Sequence, residues 1–468
     1  MSSRDRSVNV TDGELVRPLL VLSLPIVLTN LLQVGYNLAD TFWVGRLGSD
    51  AVAELSYSWA IVFMMISISS GLTVAGTVLV AQNKGANNRE QSHHVAGQTI
   101  AFVALVMLTF SIIGIIMTPT MLAWIGAEPG TQAFIYAVEY TQIVFVGLTL
   151  TGLFFVFTAL MRGWGDTRTP LYLMAGSVAL NVALDPFLIL GIGPFPRLEV
   201  QGAAIATLFS RGIAASIGMW LLFSGRTGLQ PGLSDLRLRL DTVRKILEIG
   251  LPTTGEQAFR SLGVTALTAI VALAGTDAVA AYGIVSRLSS LVFLPSLGLA
   301  QGTEAVVGQN LGARQVDRAK RAVYTSGGLV AGVLVVIGAT GMIFSEQIIS
   351  VFITGEGADV VIEIGTAFLM ICGPAFAFLG VFQVTLGGFR GSGSTRTAMI
   401  LSIQELWIYR IPLAYVMLAV FDMGVIGVWY AMAFSYVASA IITVAWFTRG
   451  TWTESAIEEG EQAAPADD

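Results

Sequence analysis

The sequence predicts an all-α polytopic membrane protein: twelve transmembrane helices in two parallel-repeat lobes of six. Three observations carry that prediction. The 468 residues are 54% hydrophobic and only 12% charged, where a soluble globular chain carries about 25% charged residues; the mean hydropathy is +0.74. Apolar runs of spanning length follow one another along almost the whole chain. The second half of the chain also repeats the first.

Breaks at polar, glycine and proline clusters place the spans near 18–43, 52–81, 93–117, 132–160, 168–192, 201–223, 244–274, 281–308, 319–343, 360–388, 396–420 and 425–448. The first 17 residues are polar and lack the apolar core of a signal peptide, so the first span is expected to act as an uncleaved anchor. The domain division expected is a cytoplasmic segment 1–17, an N-lobe 18–225, a basic linker 226–243, a C-lobe 244–448 and an acidic, disordered tail 449–468. The single cysteine, Cys372, lies in an apolar run and reads as core filler.

Loop charge orients the spans. Nineteen Lys and Arg residues fall in the loops of one side, and two, Arg46 and Arg197, in those of the other. Basic residues accumulate on the cytoplasmic side, so both termini are expected inside, in the cell membrane.

The repeat is dense. Leu24-Pro25 returns as Leu251-Pro252, GSDAVA (48–53) as GTDAVA (275–280) and AQNKGA (81–86) as GQNLGA (308–313), each pair 227 residues apart. The connector RGWGDTRTP after Arg162 returns as RGSGSTRTA after Arg390. Neither connector has the Lys-Ser/Thr ending of a phosphate-binding loop, so both read as tight cytoplasmic turns. Six spans return the chain to its starting side, so the halves are parallel, as in transporters that rock two bundles about a cavity.

These residues resemble a known family. NLADTFWVGRLGSDAVA in span 1, RGWGDTRTP after span 4, NVALDP in span 5 and GAAIAT in span 6 resemble multidrug and toxic compound extrusion (MATE) transporters. The resemblance covers residues 15–450 and implies export coupled to inward flow of Na⁺ or H⁺. GLPTTGEQAF in span 7 is closer to the DinF-like, archaeal-type branch than to the NorM branch. NorM-like members carry an acid about two turns after that proline, where this chain has Arg260, and an aspartate in span 10, where none follows Glu363.

A carboxylate in hydrocarbon is costly unless paired, wetted or protonated. Tyr36 and Asn37 precede Asp40 by four and three residues, and Asn181 precedes Asp185 by four, so each set shares a helix face. Together they would offer carboxylate, amide and phenol oxygens to a hard cation such as Na⁺; two close carboxylates would equally hold a proton. The rival readings are that Asp40 marks the interfacial end of span 1 and that Asp185 caps a helix break at Pro186. The resemblance implies that Asp40, Asn181 and Asp185 form an N-lobe cation site, with Tyr36 and Thr207 beside it. It also implies an asparagine four residues before Arg162, where this chain has Thr158.

Elsewhere, Glu256 and Arg260 are four apart and are expected either to pair or to line the C-lobe path, as are Glu405 and Arg410. Arg211 and Arg287 have no obvious local partner. Glu304 is expected to be wetted near the inner end of span 8, and His93 and His94 to be interfacial. Trp43, Trp59 and Phe63 are candidates to hold a flat organic cation through a π face. Pro25, Pro186, Pro252, Pro295, Pro374 and Pro412 fall inside spans and offer bends.

The function expected is secondary active export of amphipathic, aromatic cations against H⁺ or Na⁺, by a monomer in contact with membrane lipid, with no cofactor and no nucleic-acid partner. The alternative is a flippase of a lipid-linked precursor, which would favour a strongly basic cavity, whereas the N-lobe spans contain only Arg211. From another class, an intramembrane prenyl-group transferase would need acidic motifs such as DDxxD, and none is present.

Overall fold

The computed structural model describes residues 7–47, 49–353, 355 and 357–453; the side chains of Trp59 and Phe63, and the expected tail from Glu454 onward, lie outside the described residues. Helix follows helix: α1 (Val16–Gly45), α2 (Ser49–Gly85), α3 (Arg89–Trp124), α4 (Gln132–Trp164), α5 (Arg168–Leu190), α6 (Glu199–Phe223), α7 (Leu240–Ala272), α8 (Thr276–Gly312), α9 (Val316–Ile343), α10 (Ala358–Gly391), α11 (Thr395–Val420) and α12 (Gly424–Thr448). Each expected span is one of these. Eleven are long and apolar enough to cross a membrane among the described residues. The exception is α7, whose apolar half carries Glu256 and Arg260. The third span runs past its expected end, through Pro119 to Trp124.

The repeat-equivalent helices α2 and α8 have the same length, 37 residues each. At about 1.5 Å per residue both exceed the roughly 30 Å hydrocarbon layer.

The chain forms two compact units. One holds Leu28–Thr254 and the segment before Val10; the other holds Val10–Val27 and the chain from Gly255 on. The breaks fall at Val27 and Thr254, 227 residues apart and two residues after Pro25 and Pro252. In the first unit α4 is the hub, packed on α2, α3 and α6 around Phe157, Leu160 and Trp164. In the second, the C-terminal part of α10 holds that place, on α8, α9 and α12, around Phe382, Phe389 and Trp429.

The linker is docked on the first unit. Gln98 of α3 donates to the carbonyls of Asp235 (2.6 Å) and Arg237 (2.7 Å) and accepts from Arg239 N (2.7 Å). His94 Nδ1 lies 3.2 Å from Asp235 Oδ1, so that histidine ties the linker down.

The twice-used connector owes its pattern to packing. α4 is capped by Gly165, whose φ of 86° suits glycine; Gly393, with φ 89°, is its counterpart in the second copy. Asp166 then caps α5, accepting from Arg168 N, Thr169 N and Thr169 Oγ1. A Cβ on Gly163 would strike the carbonyl oxygen of Thr77, and one on Gly391 that of Glu304. Arg162 is buried, donating to Thr77 Oγ1 at 3.1 Å, so it belongs to the helix contact and not to an exposed loop. Gly163→Ala and Gly391→Ala should each cost about 1–3 kcal/mol by overpacking. Gly176→Ala, with open space around it, should be neutral or stabilising. Thermal unfolding in detergent checks this ranking.

Candidate functional site

Four helices of the first unit converge on one polar cluster. α1 presents Gln33, Tyr36, Asn37 and Asp40, spaced three and four apart on one face. α5 contributes Asn181 and Asp185, α6 contributes Thr207 and Arg211, and α4 contributes Tyr140. Asn181 and Asp185 are fully buried, and Tyr36 and Asp40 are 2% and 9% exposed. α5 continues through Pro186 to Leu190, so Asp185 caps no break.

Asp40 neighbours the side chains of Asp185, Asn181 and Thr207, and the Tyr36 hydroxyl neighbours Thr207 and Ser210. Asn181 Nδ2 donates to Asp185 Oδ1 at 3.3 Å. Five buried oxygens of this cluster then lack any hydrogen-bond partner: Tyr36 Oη, Asp40 Oδ1, Asn181 Oδ1, Asp185 Oδ2 and Thr207 Oγ1. Unsatisfied buried oxygens are expensive. Neighbouring carboxylates repel each other, and a cation or proton held between them relieves that repulsion. The donor set is all oxygen, which suits Na⁺ as well as a proton.

A cavity of about 280 Å³ opens beside the cluster. Tyr36, Asn37, Asp40 and Thr207 form part of its wall, with Tyr140, Phe145 and Phe155 among the aromatics; Asn181 and Asp185 stand outside that wall. Trp43 is half-buried and also outside it. Thr158 is not brought to the site: its hydroxyl donates to Phe154 O, one turn back on α4.

Sequence reasoning missed most of the wall, including its polar members Gln33, Arg211 and Tyr140. Gln33 is one turn before Tyr36 and Asn37, and Arg211 one turn after Thr207, so helical spacing alone could have added both. Tyr140 carries no such signal. Arg211 is not partnerless: it donates to Gln33 Oε1 at 2.9 Å and lies over the Tyr36 ring, 5.0 Å from its centroid.

The second unit pairs its charges differently from expectation. Glu256 binds Arg390 of the connector, through contacts of 2.5 and 3.3 Å, and not Arg260. The Arg390 guanidinium, at the end of α10, meets both carboxylate oxygens of Glu256. Arg260 instead lies over Phe293, 4.5 Å from its centroid. Glu405 does pair with Arg410, which also donates to Ser435. Residues five apart meet because Gln404–Arg410 is a π-helical turn, closing i to i+5. Glu304 is 2% exposed and therefore buried, where a wetted position was expected. Arg287 is exposed. Cys372 is core, as its apolar run suggested.

A duplicated chain of membrane-spanning helices, with buried carboxylates beside an apolar cavity, has the architecture of a secondary transporter. The chain belongs to the MatE family, whose profile matches residues 25–187 and again 252–416, once in each repeat. The probable multidrug resistance protein YoeA of Bacillus subtilis (strain 168) is 30% identical over 438 residues, 92% of this chain and 93% of that one. The probable multidrug resistance protein NorM of Thermotoga maritima is 29% identical, over 95% and 94% of the two chains. The crystal structure of MATE in complex with MaL6 has the same fold, with a TM-score of 0.89 at 24% identity over 97% of this chain and 99% of that one. The family is one of transporters, not enzymes.

Proposed function

We propose that this chain is a monomeric plasma-membrane exporter of amphipathic, aromatic organic cations, driven by inward movement of H⁺ or Na⁺. The observation that carries this reading is the set of five unpartnered oxygens on Tyr36, Asp40, Asn181, Asp185 and Thr207, beside an apolar cavity. The cavity takes the substrate and the oxygens take the coupling cation, with Asn37 in the shared wall. Cation uptake draws α1 toward α5 and α6, shrinks the cavity and expels the substrate outward. The lobes 18–225 and 244–448, joined by the linker 226–243, alternate access between the two sides, and both termini lie in the cytoplasm. Glu256 and Arg260 belong to the C-lobe side of the path. The deciding experiment is drug efflux from reconstituted vesicles with Na⁺ and pH gradients imposed separately; efflux that follows neither gradient overturns the reading.

Cation and substrate oppose each other's binding, because neutralising the carboxylates removes their attraction for a cationic drug. Substrate affinity in detergent is expected to fall about tenfold, or about 1.4 kcal/mol, as acid is added or as Na⁺ is added at fixed pH. A proton-only coupler shows the first effect without the second. Affinity that ignores both ions counts against the site.

The topology is checked at Arg168 and Arg396, which are exposed and equivalent in the two connectors. Single cysteines there, in a Cys372→Ala background, should resist an impermeant reagent added outside intact cells. Asp166 is unsuitable for this, being 2% exposed and committed to its cap.

A further inference from the structure

We propose that a furrow between α4 and α6, on the lipid-facing side of the first unit, binds one anionic phospholipid. An acyl chain lies in the furrow and the headgroup meets Arg226. The furrow has a volume of about 440 Å³ and is lined by Val146 and Leu150 of α4 and by Phe209, Ile213 and Ile217 of α6. On α6 these positions fall on the face turned away from Thr207 and Arg211, so the furrow is separate from the polar cavity. Gly212 keeps it open, since even a Cβ there would stand 3.2 Å from Leu150 Cδ1. Among the described lining residues Ser216 alone has a polar side chain, and its hydroxyl donates to Gly212 O at 2.8 Å. The furrow therefore offers hydrocarbon to hydrocarbon and no polar group in search of a partner.

The occupant follows from what lies further along α6. Ile213, Ile217 and Trp220 continue one exposed stripe. The exposed Arg226 lies over the Trp220 ring, 4.4 Å from its centroid. Tryptophan beside arginine at the end of a span belongs at the membrane interface. α6 ends at Phe223. One leaflet of about 15 Å corresponds to about ten residues of helix, which from Phe223 reaches Ile213 in the furrow. A lipid with its headgroup at Arg226 thus places an acyl chain there. This end of α6 is on the side that carries nineteen basic loop residues, where such residues face anionic headgroups. A second copy of the chain fits less well. A two-fold contact in the membrane would set furrow against furrow and Arg226 against its own image.

The test is native mass spectrometry of the purified full-length protein with phosphatidylglycerol and phosphatidylcholine of identical acyl chains. The wild type is expected to retain one phosphatidylglycerol and to prefer it by about fivefold, the scale of one basic residue at an anionic surface. Arg226→Gln should abolish that preference and leave phosphatidylcholine affinity within about twofold. Ser216→Phe, which fills the furrow, should weaken both lipids by about fivefold or more, the scale of about ten lost carbon contacts. Ser216→Leu should do so in part, and it carries the test if the larger side chain prevents folding. Melting in detergent without added lipid gives the folding control. Equal affinity of the wild type for the two lipids overturns the proposal. Lipid binding untouched by the Ser216 variants also overturns it, because the lipid then sits elsewhere. So does a wild-type dimer that these variants dissociate, which would make the furrow an interface between copies. Each of these outcomes leaves the export reading standing, since Ser216 and Arg226 lie outside the cation site and its cavity.

Discussion

Asp40→Asn is expected to reduce gradient-driven export to background, and Asp185→Asn to do the same, with each variant still folded and inserted. The amide keeps the volume and most of the contacts of the carboxylate but cannot gain and lose charge. At an effective dielectric of about 20, a carboxylate 4 Å from a cation contributes about 4 kcal/mol. That is roughly a thousandfold in cation affinity, beyond what the remaining oxygens can restore. Transport in vesicles with an imposed gradient gives the readout, and size-exclusion behaviour with melting in detergent gives the control. Wild-type export by either variant would remove that carboxylate from the coupling site. Downhill leakage of substrate without a gradient response is compatible with it, because the cavity wall survives.

The second large effect concerns stability. Glu256 and Arg390 form a buried pair, with side chains 5% and 12% exposed. Removing one partner strands the other charge, so Glu256→Gln or Arg390→Met should cost about 3–5 kcal/mol. The double variant Glu256→Leu with Arg390→Met should recover much of that loss, since an apolar replacement of a buried pair is often close to neutral. Export coupling by Glu256→Gln, measured below its lowered melting point, should suffer far less than in the aspartate variants. Single variants as stable as the wild type would mean that the pair is solvated and weak.

What could be read in the chain follows the range of the interactions. Helical spacing along α1 and α5 was enough to group Tyr36, Asn37 and Asp40, and Asn181 with Asp185, because residues three and four apart share a face. The same reasoning found Glu405 with Arg410 but could not foresee the π turn that lets them meet. It failed for Glu256, whose partner is 134 residues away at the end of another helix. It failed for Arg211 for the same reason, since Gln33 lies 178 residues earlier. The connectors were legible as turns. Their arginines were read as loop charge because nothing in one sequence says that Arg162 will fold back against Thr77.

The two breaks at Val27 and Thr254 bear on ancestry. Each compact unit is completed by the opening stretch of the other repeat's first helix. The fit is reciprocal: a side chain on Gly71 would meet Thr254, and one on Gly298, 227 positions later, would meet Val27. Two separate copies of one six-helix repeat would have to exchange these segments, as in a segment-swapped homodimer. In such a dimer any residue chosen for one lobe is imposed on both. A duplicated chain is free of that constraint. Along the gapless stretch of the repeat, Asp40 now answers to Leu267 and Tyr36 to Gly263. One lobe could thus keep a charged cavity while the other was free to become a differently wired partner.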